Sequence, residues 1–366
     1  MKGMEFSDVL LAGLGALGEY LSAHVLSCLV PAFFIAGAMS ALLPKEKITK
    51  YLGKNVPKYK AYPLSVVAGL LLAVCSCTIL PLFAGIKKKG AGIGPAIAFL
   101  YTAPATNILA IVYTGGVLGW DLAAARIILS ITFAISIGII ISTFFKEKDD
   151  EEKNSVSDLA KEEKKSDGIN KASSKKNILK EHYVLLFFAT LFATLIFGAS
   201  KIGDEIKIIG LAILITLLLV ELRLYFKKDE IKSWLSETWF FFKKIFPLLL
   251  IGIFVAGMLT ALIPENLLAD YVGTNTVIAN LIAVLFGVFM YFPTLVEVPV
   301  AKTFLTLGMA KGPLLAYLLA DPVISLPSIL VVRKIMGTKR TFVYALLITI
   351  FCTISGLIYG FFVGVF

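Results

Sequence analysis

Histidine is nearly absent from this chain. There are two in 366 residues, His24 and His182, and neither has a partner at metal-ligand spacing, so no metal site is expected. Charge is scarce as well, at 16% Asp, Glu, Lys and Arg against 58% hydrophobic residues. A soluble domain of this length could not hide so much apolar surface, which points to a polytopic membrane protein. The four cysteines, Cys28, Cys75, Cys77 and Cys352, all lie inside hydrophobic segments, against a secreted disulfide framework. No Walker loop, dinucleotide fingerprint or GxSxG occurs, so ATP-driven pumping, cofactor chemistry and hydrolysis lack support, and the chain is not expected to be an enzyme. Met1–Ser7 lacks a basic n-region, and no cleavable signal peptide is expected. The net charge of +10 sits largely in loops, where it sets topology; it is not a nucleic-acid footprint.

What the chain does have, it has twice. AGAMSALLP at 36–44 is echoed by AGMLTALIP at 256–264, and Tyr51-Leu52-Gly53 by Tyr271-Val272-Gly273. Gly94-Pro95 recurs as Gly312-Pro313, Ala103-Pro104 as Asp321-Pro322, and CSCTILP (75–81) falls opposite PTLVEVP (293–299). The offset is 218 to 220 positions. Two copies of apolar segments interrupted by proline at corresponding depths are a sequence pointer to a transporter with its site between repeats.

Apolar stretches near the roughly 20-residue spanning length fall at about 21–43, 62–86, 92–115, 122–145, 183–200, 206–226, 240–263, 276–297, 312–332 and 341–366. Each should be helical, since lipid offers an open backbone no partner. Residues 4–19 read as a short interfacial helix. Residues 146–182 are polar and densely charged and read as a flexible cytoplasmic linker. The loop 44–61 carries six lysines and is expected inside, whereas its counterpart 264–276 has none. The loop 116–121 has no basic residue, whereas 333–340 has Arg333, Lys334, Lys339 and Arg340. This opposite bias marks inverted repeats. Ten simple spans would instead make the copies parallel. The conflict is removed if one segment of each pair, 62–86 with 92–115 and 276–297 with 312–332, is re-entrant. The breakers are Pro81 and Pro104 in the first copy and Pro293, Pro299 and Pro322 in the second; which member returns is open.

Three constellations could carry chemistry. Cys75-Ser76-Cys77, followed by Thr78 and Pro81, could hold a soft, thiophilic atom, or the thiols could simply pack as small hydrophobes. Thr102-Ala103-Pro104-Ala105-Thr106-Asn107 has the composition of a discontinuous helix whose ends meet a ligand, or of a kink with Asn107 bonded to a neighbouring helix. Glu297 and Asp321 are carboxylates in apolar stretches, and an unpaired charge there costs at least about 2.5–3.5 kcal/mol. They are candidate proton carriers, or they pair with Lys302 or Lys311, and Asp321 could cap a half-helix starting at Pro322. In the first copy Glu297 matches Ile79 and Asp321 matches Ala103, so the halves are chemically unequal. His24, Arg126 and Glu221 read as snorkelling or interfacial residues, and Cys28 and Cys352 as packing residues.

The run CSCTILPLFAGIKKKGAGIGPAIAFLYTAPATNI resembles the signature region of the ArsP-type predicted permeases, and FPTLVEVPVAKTFLTLGMAKGPLLAYLLADPVISLPSI resembles that family's second-half signature. The resemblance covers nearly all the chain outside the charged linker and implies a polytopic inner-membrane permease. The best-known activity of the family is efflux of trivalent organoarsenicals, for which thiol ligands make chemical sense. Cys75, Cys77 and Pro81 match its pattern, while Thr78, Glu297, Pro299 and Asp321 depart from many relatives.

The expectation is therefore an all-α polytopic membrane protein with about 8–10 transmembrane segments in two inverted repeats with broken or re-entrant helices. Its parts are an N-terminal repeat (1–145), the linker (146–182), two connecting helices (183–226) and a C-terminal repeat (227–366). It would sit in the cell membrane and move a small thiophilic solute outward by alternating access at a midplane site. Cys75, Ser76, Cys77, Thr78, Pro81, Thr102, Pro104, Thr106 and Asn107 would bind the solute, and Glu297 or Asp321 would couple movement to protons. Pro293, Pro299, Pro322 and Ser325 would mark the breaks of the second repeat. The rival functions are a permease for a sulfur oxyanion or divalent metal with structural cysteines, and a membrane thiol-redox protein using Cys75 and Cys77.

Overall fold

The computed structural model describes residues 6–22, 29–42, 45–53, 56–72, 74, 76–145, 177–199, 204–262, 271–289, 292 and 296–364. They form helices and no strand, consistent with an all-α polytopic membrane protein. The helices are α1 (Phe6–Tyr20), α2 (Val30–Leu42), α3 (Lys45–Leu52), α4 (Lys58–Leu72), α5 (Ser76–Lys88), α6 (Ile93–Ala105), α7 (Ile108–Leu118) and α8 (Trp120–Phe144). Then follow α9 (Asn177–Ala199), α10 (Asp204–Tyr225), α11 (Lys228–Leu262), α12 (Val277–Phe289), α13 (Glu297–Thr306), α14 (Lys311–Ala320), α15 (Leu326–Met336) and α16 (Thr338–Gly364). The interfacial segment expected at 4–19 is α1, which packs along α11. Most of the expected charged linker lies outside the described residues, although α9 already begins at Asn177.

Three described helices are long and apolar enough to cross a membrane, within α8, α11 and α16. The four stretches singled out for breaks are not continuous helices. Residues 62–86 divide into α4 and α5, 92–115 into α6 and α7, and 312–332 into α14 and α15, while the stretch from 276 ends in α12 before α13 begins. Both members of each pair are thus divided. The α6 and α7 axes are bent by 46°. The local cause in α6 is Pro104, which supplies no N–H to the carbonyl one turn back, so the helix ends one residue later. Pro322 follows the end of α14 in the same way. Pro299 does something else. It is the third residue of α13, where the N–H needs no intrahelical partner, so it helps start a helix.

The two copies recur element by element, α4–α8 against α12–α16. The positive-φ glycines form two equivalent pairs, Gly90 with Gly308 (φ 90° and 98°) and Gly119 with Gly337 (φ 115° and 86°); other residues adopt such angles only under strain. The Gly92 N–H donates to the Leu52 carbonyl (2.7 Å), and in the second copy the Ala310 N–H donates to that of Val272 (3.0 Å). The contacts repeat too: α6 packs on α4, α5 and α8, and α14 packs on α12, α13 and α16. Between the copies, α5 meets α15 and α7 meets α13.

The core centres on α6 and α14. Every residue of α6 is buried, as is the run Gly312–Ala320 of α14. Close approach to the flanking long helix depends on facing glycines. A Cβ at Gly94 would lie 2.8 Å from the Gly138 carbonyl oxygen, and one at Gly312 would lie 2.6 Å from that of Gly356. The copies differ around this contact. Tyr62 bonds Ser142 (3.0 Å) in the first, whereas in the second the Asn280 amide donates to Asn275 (3.0 Å), whose own amide donates to the Leu357 carbonyl (2.9 Å). The long helices α8 and α16 run antiparallel. Asp121 at the start of α8 accepts a 2.9 Å bond from Tyr359 near the end of α16, while Phe133 and Phe351 pack midway.

Candidate functional site

Charges gather where the helix breaks converge. Arg126 projects from the second turn of α8 and is entirely buried, 0% exposed, as is Glu297, the first residue of α13, with which it forms an ion pair. The Arg126 Nε–H donates to the carbonyl of Ala105, the last residue of α6 (3.3 Å), and its Nη1–H donates to Thr114 Oγ1 on α7 (3.3 Å). One guanidinium therefore spans the α6–α7 break and holds the start of α13. Asp321, at the end of α14 and 3% exposed, lies within the fields of Glu297 and Arg126. Tyr317, one turn earlier on α14 and fully buried, faces the same three charges.

Taking such groups out of water is expensive, and attraction between them offsets the cost only when the remaining polar atoms are satisfied. Here they are not all satisfied. Both Asp321 carboxylate oxygens, Glu297 Oε2 and the Tyr317 hydroxyl are buried without a hydrogen-bond partner. With both acids ionised, two carboxylates face one guanidinium and leave one negative charge, which a single added proton neutralises. Among the described residues no three His, Cys, Asp or Glu side chains group as metal ligands.

Arg126 is thus a correction to the sequence reading, which took it for a snorkelling residue. Its signal was the one that singled out the acids: it faces an uncharged counterpart, Tyr344, in the other copy. The two lysines offered as alternative partners lie elsewhere. Lys302 is exposed, and Lys311 lies 3.6 Å from Asp121 at the α8 terminus. Nor does Asp321 cap a helix starting at Pro322. A turn intervenes, and α15 is capped by Ser325 in a capping box with Ser328. Glu221, expected near an interface, is 2% exposed and accepts a 2.8 Å bond from Thr190.

Of the remaining candidates, Thr102 and Thr106 are fully buried, with hydroxyls donating to the carbonyls of Ala98 and Thr102 (both 2.7 Å). Asn107 is buried at the α6–α7 break. Ser76 and Thr78 are buried in the first turn of α5, where the backbone of Cys77 also lies, and Pro81 is inside that helix. Cys28, Cys75, Pro293 and His24 fall outside the described residues. Cys352 is buried on α16.

Helix breaks converging on buried charges are the arrangement of a solute-conducting membrane protein, and comparison with known proteins agrees. The profile of the ArsP-type predicted permease family matches residues 10–361. The chain is 42% identical to the UPF0718 protein MJ0584 of Methanocaldococcus jannaschii, over 93% of both chains. It is 20% identical to the UPF0718 protein YraQ of Escherichia coli, over 89% of this chain and 73% of that one. A Streptococcus mutans protein provisionally named as a subunit of a two-component membrane permease complex is 23% identical over 88% of each. No solved structure matches. The chain belongs to the ArsP-type predicted permease family.

Proposed function

We propose that this permease is a secondary transporter that moves a small solute by alternating access, coupled to protons at Glu297 and Asp321. The observation that carries the reading is the closed cluster of Arg126, Glu297 and Asp321 at the meeting of three helix breaks. Loss of a proton from the carboxyl pair leaves uncompensated charge in a site shut off from water, which favours an arrangement that opens it. The two copies act as inverted repeats, a reading supported by the antiparallel α8 and α16 and by the opposite charge bias of corresponding loops. The protein sits in the cell membrane with 146–182 on the cytoplasmic side.

The proposed cargo is a thiophilic solute such as a trivalent organoarsenical, moved outward. Cys75 and Cys77 would ligate it at the start of α5, with Thr102, Thr106 and Asn107 positioning it. The chemical support is the C-x-C pair beside a helix break together with the family resemblance. A second reading, a permease for another solute with packing cysteines, is favoured by the buried guanidinium, which a neutral thiophilic cargo does not need. The name of the Streptococcus mutans relative suggests a partner subunit for this chain as well. The test is methylarsenite uptake into everted membrane vesicles, wild type against Cys75→Ala/Cys77→Ala. Energised uptake lost in the double variant supports thiol-dependent efflux. Uptake unchanged in it removes the cysteines from the site.

A further inference from the structure

Glu297 occupies a place that attracts anions for two independent reasons. It is the first residue of α13, at the positive end of that helix's dipole, and it pairs with a fully buried guanidinium. Arg126 cannot give up its charge. When the carboxyl pair, already sharing the one proton that makes the cluster neutral, takes a second proton at Glu297, a buried cation and a helix N-terminus are left facing neutral acids. We propose that Arg126 is the cargo-recognising residue of this permease and that its cargo is a small monoanion. Glu297 is then a tethered carboxylate holding the anion's place in the empty transporter.

The inference rests on the permease reading and sets the substrate class of the same site. The balance is simple: Asp321 keeps the proton that makes the empty cluster neutral, a second proton adds to Glu297, one monoanion takes its place on Arg126, and that second proton and the anion leave together with no net charge moved. The orphaned Asp321 oxygens beside Glu297 are the acceptor for the first proton. The planar fork of Arg126 suits an oxyanion, since two of its nitrogens are already committed to Ala105 and Thr114 and the Nη2 edge is the one that meets the carboxylate. Among the described residues, the buried tyrosines and thiol on the packed elements are Tyr62 on α4, Tyr101 on α6, Tyr317 on α14, and Tyr344 and Cys352 on α16. The cations of those elements are exposed (Lys58 and Lys60 on α4, Lys302 on α13, Lys311 on α14, Lys339 on α16) or, like Arg340, lie in the first turn of α16, at the opposite end from Tyr359, which meets the start of α8.

The test uses purified full-length protein, with thermal stability followed in sodium nitrate, formate or acetate at matched ionic strength, against gluconate. For wild type, at least one of these small anions raises the melting temperature near pH 5.5, and its apparent affinity falls about tenfold per pH unit above the Glu297 titration. Glu297→Gln binds the same anion equally at both ends of the pH range, and Arg126→Gln does not bind it. A purely structural ion pair moves neither the pH slope nor the anion response. No anion response in either wild type or Glu297→Gln overturns the proposal, as does a response that survives in Arg126→Gln. Solute flux in vesicles is measured separately, so a failed permease reading is told apart from a wrong cargo class.

Discussion

Phe133 packs against Phe351 with ring centroids 5.3 Å apart, and these are the same position of the two copies. A residue meets its own counterpart only where the relation between copies passes through. Tyr101 and Leu319, also 218 positions apart, meet there too, the hydroxyl 3.5 Å from the carbonyl. Arg126 lies two turns before Phe133, about 10 Å along α8. The charged cluster therefore sits to one side of the meeting point, and one such site serves both copies. This accounts for acids that have no charged counterpart in the first repeat.

Removing one member of the ion pair exposes the other. Arg126→Gln should lower stability by about 3–5 kcal/mol, because it leaves the buried Glu297 and Asp321 carboxyls without their cation. Replacing the whole cluster, Arg126→Met with Glu297→Met and Asp321→Asn, should recover most of that loss and still abolish transport. Thermal unfolding in detergent beside vesicle uptake separates the two effects.

The glycine contacts predict equal sensitivity in both repeats. Gly94→Ala and Gly312→Ala force a Cβ to within 2.8 and 2.6 Å of a backbone carbonyl oxygen, and each should cost about 1–3 kcal/mol. Gly116→Ala is the control. It lies within α7 with nothing in reach of a new Cβ, so it should be neutral or stabilising by up to about 1 kcal/mol. Melting temperatures of the three variants check the ranking.

Tyr62→Phe removes the 3.0 Å bond to Ser142 while keeping the ring. The expected loss is about 0.5–1.5 kcal/mol, with uptake unchanged, because this contact belongs to the α4–α8 packing.

Much of the fold is written locally. The duplication, the breakers Pro104 and Pro322, and the two membrane-embedded acids all stand out within a few residues of sequence. What escaped was long-range. Arg126 and Glu297 are 171 positions apart, and nothing near Arg126 announces a partner, so a single arginine in an apolar helix resembles an interfacial one. Glu221 misled for the same reason, its partner Thr190 lying on the preceding helix. The breaks in all four paired segments were also only half legible, because proline marks where a helix weakens and tertiary packing decides whether it ends.

Proton movement in proteoliposomes holding a trapped pH-sensitive dye, with methylarsenite and then nitrate added outside, tests the central claim most directly. The account predicts that one of these solutes drives proton movement in wild type and that neither Glu297→Gln nor Asp321→Asn shows it. Solute movement in wild type that ignores an imposed pH gradient, or proton movement of wild-type size in both variants, contradicts it.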